Sequence, residues 1–223
     1  MLIEYIKNIP IFKHLKEAQL KEIASRCKSA FYKKGDAVFY KTDLSTDLYI
    51  VVSGRLKAVL IDEQGSEIVL AYFESGNFFG EFSLLDGKGR SATIVADEDS
   101  ELAVLKRNIF LDLLLEDSKI AVELMITLVE RLRNSDAMIE SLAFLEVSDR
   151  LIKTLLNAAE VEGKIGGKDY LKSKRLTHKE LASRIGASRE AVSKCMKVLV
   201  SKGVIKEHDD YILIARDAVK RSV

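Results

Sequence analysis

Residues 117–145 read DSKIAVELMITLVERLRNSDAMIESLAFL. The run holds neither Gly nor Pro, so no residue in it breaks a helix. Ala121, Met125, Leu128, Leu132, Ser135, Ile139 and Leu142 recur at alternating steps of four and three. That is the 3.5-residue period at which two helices meet along one seam. Fully helical, the stretch spans about 40 Å at roughly 1.5 Å per residue. Glu123, Glu130, Arg131, Arg133 and Glu140 flank the seam and suit a solvated face. A core helix of a single domain is the competing reading. A narrow stripe held over about four heptads predicts instead a dimerisation helix, and with it a homodimer. Ser135 is the polar member of the seam. A polar residue there costs stability, so it is expected to set register or to hold a partner.

On the N-terminal side the grammar changes. Between Phe31 and Leu105, runs such as DLYIVV, GRLKAVLI, EIVLAYF, SATIVA and ELAVL are short, β-rich and bounded by turn residues. After Lys34-Gly35-Asp36, turn signals at Ser53-Gly54, Asp62 to Gly65 and Ser75-Gly76-Asn77 come every 8–12 residues. This spacing predicts an antiparallel barrel or sandwich of about eight strands. Before it, Leu15, Leu20, Ile23 and Ala24 suit a small amphipathic helix, with Pro10 as the break that precedes it. After it, Phe110, Leu113 and Leu114 lead helically into the long run.

On the C-terminal side the heptad lapses at Phe144–Val147, and a new helix carries Leu151, Leu155 and Leu156. Residues 161–175 are polar and Gly-containing and read as a connecting loop or short strands. In LTHKELASRIGASREAVSKCMKVLVSKGVI, Thr177 and Glu180 fit a capping box, Gly186 ends the first helix, and Ser188 caps the next. Gly203 closes that second helix. Two helices around a Gly turn make a helix-turn-helix, and VIKEHDDYILI adds two strands around Asp209-Asp210 as a wing. The apolar period turns Val192, Met196 and Leu199 inward, leaving Arg189, Glu190, Ser193, Lys194 and Lys197 outward. Arg can bond guanine O6 and N7 bidentately, and Glu can accept from cytosine N4. Arg189 and Glu190 thus suit base reading, Ser193 and Lys194 a phosphate or second base, and Thr177 and His178 the backbone. Charge agrees: residues 1–143 carry 18 Lys and Arg against 23 Asp and Glu, whereas residues 144–223 carry 17 against 11. A basic module on an acidic one predicts a polyanionic partner, DNA.

One string in the strand-rich part carries ligand chemistry: GNFFGEFSLLDGKGRSATIVA. A phosphodiester needs free N–H donors, a cation and a hydroxyl or ribose acceptor. Gly80 opens a short helix and exposes N–H groups, Glu81 can accept from a ribose 2′-OH, Arg90 brings the charge, and Ser91 adds a hydroxyl. With GEFSLL followed by RSA, with ESLAFLEVSDRL and with LTHKELASRIGASREAVSK, nearly the whole chain resembles the cyclic-AMP receptor protein/FNR family of bacterial transcription regulators. The resemblance implies an α+β fold: an N-terminal antiparallel β-roll that binds a cyclic nucleotide, a long dimerisation helix and a C-terminal winged helix-turn-helix. It assigns residues 1–116 to the effector-binding roll, 117–145 to the dimerisation helix and hinge, and 146–223 to the DNA-binding domain. It places the cyclic phosphate on Arg90 and Ser91 and the ribose on Gly80 and Glu81, with Arg131 one turn before Ser135 and able to reach Glu81 or the phosphate. It also implies a palindromic operator with half-sites of TGTGA type, read from the Ser188-capped helix.

Two positions depart from the family pattern. The Thr-Ser pair that contacts adenine is here Ser135 and Asp136. A carboxylate accepts from adenine N6 or from the N–H donors of guanine, so cyclic AMP is favoured and cyclic GMP stays open. The second reading Arg is Lys194, a point charge rather than a fork. A same-fold regulator sensing another anion, a cyclic dinucleotide or a haem-bound gas is the alternative. Cys27 and Cys195 match no metal or redox spacing, and Cys27 alone cannot hold an iron–sulfur cluster, so no metal is expected. His14, His178 and His208 are scattered and no nucleophile motif is present, so no enzyme is expected. No apolar run reaches membrane length and MLIEYIKNIPIFKHL lacks signal-peptide features, which predicts a cytoplasmic protein. RNA polymerase is a candidate further partner, with residues 161–170 the place to look for it.

Overall fold

The computed structural model describes residues 2–165 and 168–216, with side chains at 160–168 outside the description. The chain forms two compact units. The first takes the residues up to Ile61 with Val69–Asn134, and the second takes Asp62–Ile68 with the residues from Ser135 onward.

In the first unit, α1 (Leu2–Ile6), a 3₁₀ turn (Pro10–Phe12) and α2 (Glu17–Arg26) precede the strands. Pro10 sits where its fixed φ suits a helical start and its missing N–H costs nothing. The strands are β1 (Lys28–Tyr32), β2 (Ala37–Phe39), β3 (Leu48–Ser53), β4 (Arg55–Ile61), β5 (Glu67–Glu74), β6 (Phe78–Phe79), β7 (Thr93–Ala96) and β8 (Ser100–Leu105). They form two four-stranded sheets in the orders β1-β8-β3-β6 and β2-β7-β4-β5. The short helix α3 (Glu81–Asp86) lies in the β6–β7 connection, and α4 (Arg107–Glu116) follows β8.

The LYIVV run of β3 explains how this unit coheres. Leu48 to Val52 are all buried, because the strand is covered on both faces. Leu48, Ile50 and Val52 join Ile6, Phe12, Leu20, Phe110, Ile120 and Leu124 in a core against the helices. Tyr49 and Val51 point the other way, into the interior shared by both sheets, with Phe39, Leu56, Phe73, Phe79, Ile94 and Leu102.

The long helix α5 runs from Ser118 to Phe144. Ile120 and Leu124 bury in the first unit's helical core, and Leu128 packs half-buried against it. Leu128 therefore serves its own unit's core, although the period assigns it to the seam. The same helix must dock its first turns, and the docking stripe crosses the seam there. Met125, Leu132 and Ile139 are 56%, 61% and 64% exposed in the single chain. These are the side chains a second copy would cover.

The second unit contains α6 (Val147–Asn157), β9 (Ala159–Ile165), β10 (Lys168–Lys174), α7 (His178–Ile185), α8 (Arg189–Ser201), β11 (Ile205–Glu207) and β12 (Tyr211–Ala215). Its core gathers Leu151 and Leu155 of α6, Leu181 and Ile185 of α7, Val192, Met196 and Leu199 of α8, and Ile205, Ile212 and Ile214 of the wing. Residues 161–175 are mostly strand: β9 and β10 pair, β10 also pairs β12, and the sheet order is β11-β12-β10-β9. The region expected to meet RNA polymerase includes residues 166 and 167, which lie outside the described residues. No helix among the described residues is long and apolar enough to cross a membrane.

Candidate functional site

Arg90 is the centre of the first site. It is 3% exposed. Its Nη1 donates to the Gly80 carbonyl at 3.1 Å, its Nη2 to the Asp47 carbonyl at 3.0 Å and its Nε to Ser45 Oγ at 3.0 Å. All three acceptors are neutral. The guanidinium also lies over the Phe39 ring at 4.1 Å and near Tyr49 at 5.5 Å. Burial pushes its pKa down from the usual guanidinium value. Arginine nonetheless stays charged, so a cation sits here in a low-dielectric wall without a carboxylate bonded to it.

Gly80 lets that arrangement close. It caps α3 at φ 91°, in the left-handed region. A Cβ at this position would stand 2.7 Å from Arg90 Nη1 and 2.8 Å from the Asp47 carbonyl oxygen. The guanidinium could be pushed aside but the main-chain carbonyl could not, so only Gly lets the backbone approach Arg90 this closely while it keeps its place.

Glu81 follows directly and is 2% exposed. Its Oε1 accepts a short hydrogen bond from Arg131 Nη1, and Arg131 Nη2 donates to the Phe78 carbonyl at 2.6 Å. Arg131 therefore ties α5 to the β6–α3 segment, as its position one turn before Ser135 suggests. Glu81 Oε2 is buried and accepts no hydrogen bond. An acceptor in that state is an unmet cost, and a ligand hydroxyl would remove it. Ser91 is exposed beside Arg90 in sequence, and Ser135 and Asp136 are exposed on α5. The orphaned oxygen, the glycine cradle and the neutrally held cation together fit a small phosphodiester that carries a hydroxyl.

The second site is the helix pair of the second unit. Thr177 caps α7: its Oγ1 accepts from Glu180 N at 3.2 Å and donates to Glu180 Oε2 at 2.8 Å, while Thr177 N donates to the same carboxylate at 2.7 Å. The capping box expected at this end is thus complete. Gly186 terminates α7 at φ 61°, and Ser188 Oγ accepts from Ala191 N at 3.1 Å to start α8. Arg189, Glu190 and Lys194 are exposed on α8. His178, expected to meet the DNA backbone, and Ser193, expected to meet a phosphate or second base, bond to each other, with Nδ1 of His178 2.8 Å from Ser193 Oγ. The Ser193 hydroxyl donates to the Arg189 carbonyl at 2.9 Å, so His178 Nδ1 must be the donor between them. The pair links α7 to α8 one turn from Arg189.

Comparison with known proteins follows the same division. Residues 30–117 match the cyclic nucleotide-binding domain and residues 149–221 the Crp-like helix-turn-helix domain. The chain is 34% identical over 201 residues to the cyclic AMP receptor protein of Thermus thermophilus, with 90% of each chain covered. The chain belongs to the CRP/FNR family of transcription regulators. It is also 31% identical over 191 residues to the cAMP-activated global transcriptional regulator CRP of Pasteurella multocida, covering 85% of this chain and 91% of that one. Among solved structures, the c-di-GMP responsive global regulator CLP of Xanthomonas campestris is similar at TM-score 0.75 and 25% identity, over 89% of this chain and 99% of that one. The Thermus thermophilus catabolite activator protein is similar at TM-score 0.55 and 31% identity, over 94% and 95%. As a CRP/FNR regulator it combines a cyclic nucleotide-binding domain with a DNA-binding helix-turn-helix.

The frame of Arg90 in this regulator is what sequence reading misses. Ser45 and the Asp47 carbonyl come from the segment before β3, and Phe39 and Tyr49 wall the guanidinium. A backbone carbonyl leaves no trace in the residue letters. The aromatic walls do leave one, because Tyr49 alternates with Leu48 and Ile50 and so faces the roll interior. Among the described residues, no group of three or more His, Cys, Asp and Glu could hold a metal ion.

Proposed function

We propose that this CRP/FNR regulator is a homodimeric, sequence-specific DNA-binding switch whose effector is a cyclic nucleotide, cyclic AMP before cyclic GMP. The observation that carries this is Arg90, buried as a cation on three neutral acceptors beside a glycine that admits no side chain. Arg90 and Ser91 would hold the cyclic phosphate, and Gly80 N–H and Glu81 Oε2 the ribose. Arg131 would position Glu81, and Ser135 with Asp136 would meet the base. Residues 1–116 form the effector roll in this reading, 117–145 the dimer helix and hinge, and 146–223 the DNA-binding domain. On DNA, Arg189 and Glu190 would read bases and Lys194 a base or phosphate, with Thr177, His178, Ser188 and Ser193 setting the helix pair on the backbone. Two α8 helices about 34 Å apart match a palindromic site. The relatives' printed names, cyclic AMP receptor protein and cAMP-activated regulator, support the choice of effector.

Isothermal titration of the purified protein with cyclic AMP and cyclic GMP tests this, beside the Arg90→Ala variant. Micromolar binding of one nucleotide by the native chain, lost in Arg90→Ala while the oligomeric state is kept, is the expected result. No heat with either nucleotide overturns the effector assignment. It would favour the second reading, a cyclic dinucleotide, which Asp136 and the similarity to the c-di-GMP responsive CLP support.

A further inference from the structure

Inside the second unit, a cavity of about 200 Å³ opens between the end of α5, α6 and the last turn of α7. Arg150, Lys153 and Arg184 line it, and Ser141, Thr154 and Asn157 add hydroxyl and amide groups. Among the described residues lining it, none is acidic; Glu146 and Asp149, the nearest carboxylates in sequence on α6 and its cap, do not reach it. Three basic side chains therefore converge on one opening among lining residues that include no carboxylate.

Arg150 is already set for an incoming acceptor. Its Nη1 donates to the Leu145 carbonyl at 3.0 Å and the Leu142 carbonyl at 3.4 Å. These are terminal carbonyls of α5, and their partial negative charge holds the guanidinium without neutralising it. Its Nε is buried and donates to nothing. A buried donor without a partner is rare in folded proteins and calls for an acceptor.

We propose that this cavity is a second anion site, distinct from Arg90, that takes a compact phosphate-class oxyanion. Guanidinium forks match phosphate oxygens, and hydroxyl and amide groups complete the shell. Size sets the class: ligand pockets for drug-sized molecules occupy about 300–1,000 Å³, so a phosphate or diphosphate fits where a whole nucleotide does not. An anion here bonds to groups from α5, α6 and α7 at once. It thereby stiffens the break at Leu145–Glu146 between α5 and α6. The oxyanion has two sources, a free phosphate species or a phosphate of the DNA backbone.

The test is titration of the full chain with inorganic pyrophosphate at constant ionic strength. It is run in an Arg90→Ala background, so that the first site cannot contribute. One pyrophosphate per chain is expected, weakened about five- to ten-fold by Lys153→Gln. Lys153 is exposed, so its variant folds. Arg150→Gln should weaken binding further, with circular dichroism confirming the fold. A saturating palindromic TGTGA duplex separates the sources. Undiminished pyrophosphate binding assigns a free anion, and displacement assigns a backbone phosphate. No binding in the Arg90→Ala chain, or binding that Lys153→Gln leaves unchanged, overturns the proposal. Because Lys153→Gln in the native chain should leave cyclic nucleotide binding intact, failure here is distinguishable from failure of the effector assignment.

Discussion

Substituting Gly80 by Ala, with Gly35→Ala as its companion in the same unit, separates backbone strain from close approach. Both glycines hold positive φ, 91° and 94°. An L-residue in that region costs about 1–2 kcal/mol at either place. Gly35 lies in the Lys33–Asp36 turn, and a Cβ there meets nothing within 4 Å. At Gly80 the Cβ meets Arg90 Nη1 at 2.7 Å and the Asp47 carbonyl at 2.8 Å. The arginine end can swing, but the carbonyl belongs to the main chain, so an overpacking cost of about 1–3 kcal/mol is added. With a urea slope of about 2 kcal/mol/M, the Gly80→Ala midpoint should fall below that of Gly35→Ala by about 0.5–1.5 M. Circular dichroism follows the unfolding, and the transition read is that of the β-rich first unit, since two units need not melt together. Effector affinity should drop at least about tenfold in Gly80→Ala, because the added methyl displaces Arg90, and stay near native in Gly35→Ala. Equal midpoints would refute the close approach. A destabilised Gly80→Ala that still binds the nucleotide normally would refute the role given to Arg90.

Arg189→Ala should weaken specific DNA binding by about 1–3 kcal/mol in fluorescence anisotropy at fixed salt, and relax preference at one G·C pair. A loss of the same size on every sequence would assign Arg189 to phosphate alone. Leu132→Glu places a charge on the seam, where Leu132 is 61% exposed in one chain, and should give a folded monomer by sedimentation. A persistent dimer would move the interface off α5. Burial pushes the Cys27 thiol up to about 11. At pH 8 its thiolate fraction is then about 0.1%, against about 25% for a free cysteine with pKa near 8.5. Because the raised pKa favours the thiol, alkylation by iodoacetamide should be some hundredfold slower than for the free amino acid and rise about tenfold per pH unit up to pH 11. Mass spectrometry of the Cys27 peptide measures this, and a rate like that of free cysteine would contradict its burial.

Where the chain repeats a physical need at a fixed spacing, the residues alone announce the structure. The α5 helix is such a case, and so are the Thr177–Glu180 box, the Ser188 cap and the glycines that end α7 and α8. Each depends on neighbours three or four positions away. Leu128 escapes because one helix serves two partners, and a period cannot say which stripe meets its own core. The β9–β10 hairpin is legible only as a loop or short strands, because its residues are polar and its pairing, from Ala159 with Ser173 outward, continues into β12 on the far side of β10. His178 and Ser193 lie 15 positions apart, and their bond follows only from the angle at which α7 and α8 pack. In the first site, Gly80, Glu81, Arg90 and Ser91 share one string and so could be found together. Ser45 and Asp47 lie more than 40 positions before Arg90, and Asp47 meets it through a carbonyl that every residue type carries.

The electrostatics of that site also suggest how a ligand would be felt beyond it. Arg90 is buried without a bonded anion, and the free energy of holding it there falls when an oxyanion arrives. The acceptors that now hold it belong to the 43–47 segment and to Gly80, so the relief acts on those two places first. Gly80 is followed by Glu81, and Glu81 with the Phe78 carbonyl holds both ends of the Arg131 guanidinium on α5. A hydroxyl donated to Glu81 Oε2 would draw charge from the oxygen that Arg131 uses, and a shift of Gly80 would carry the Phe78–Glu81 segment with it. The route from a ligand on Glu81 to α5 is therefore two hydrogen bonds long. It transmits only as much free energy as the ligand's preference for one arrangement of that segment over the other.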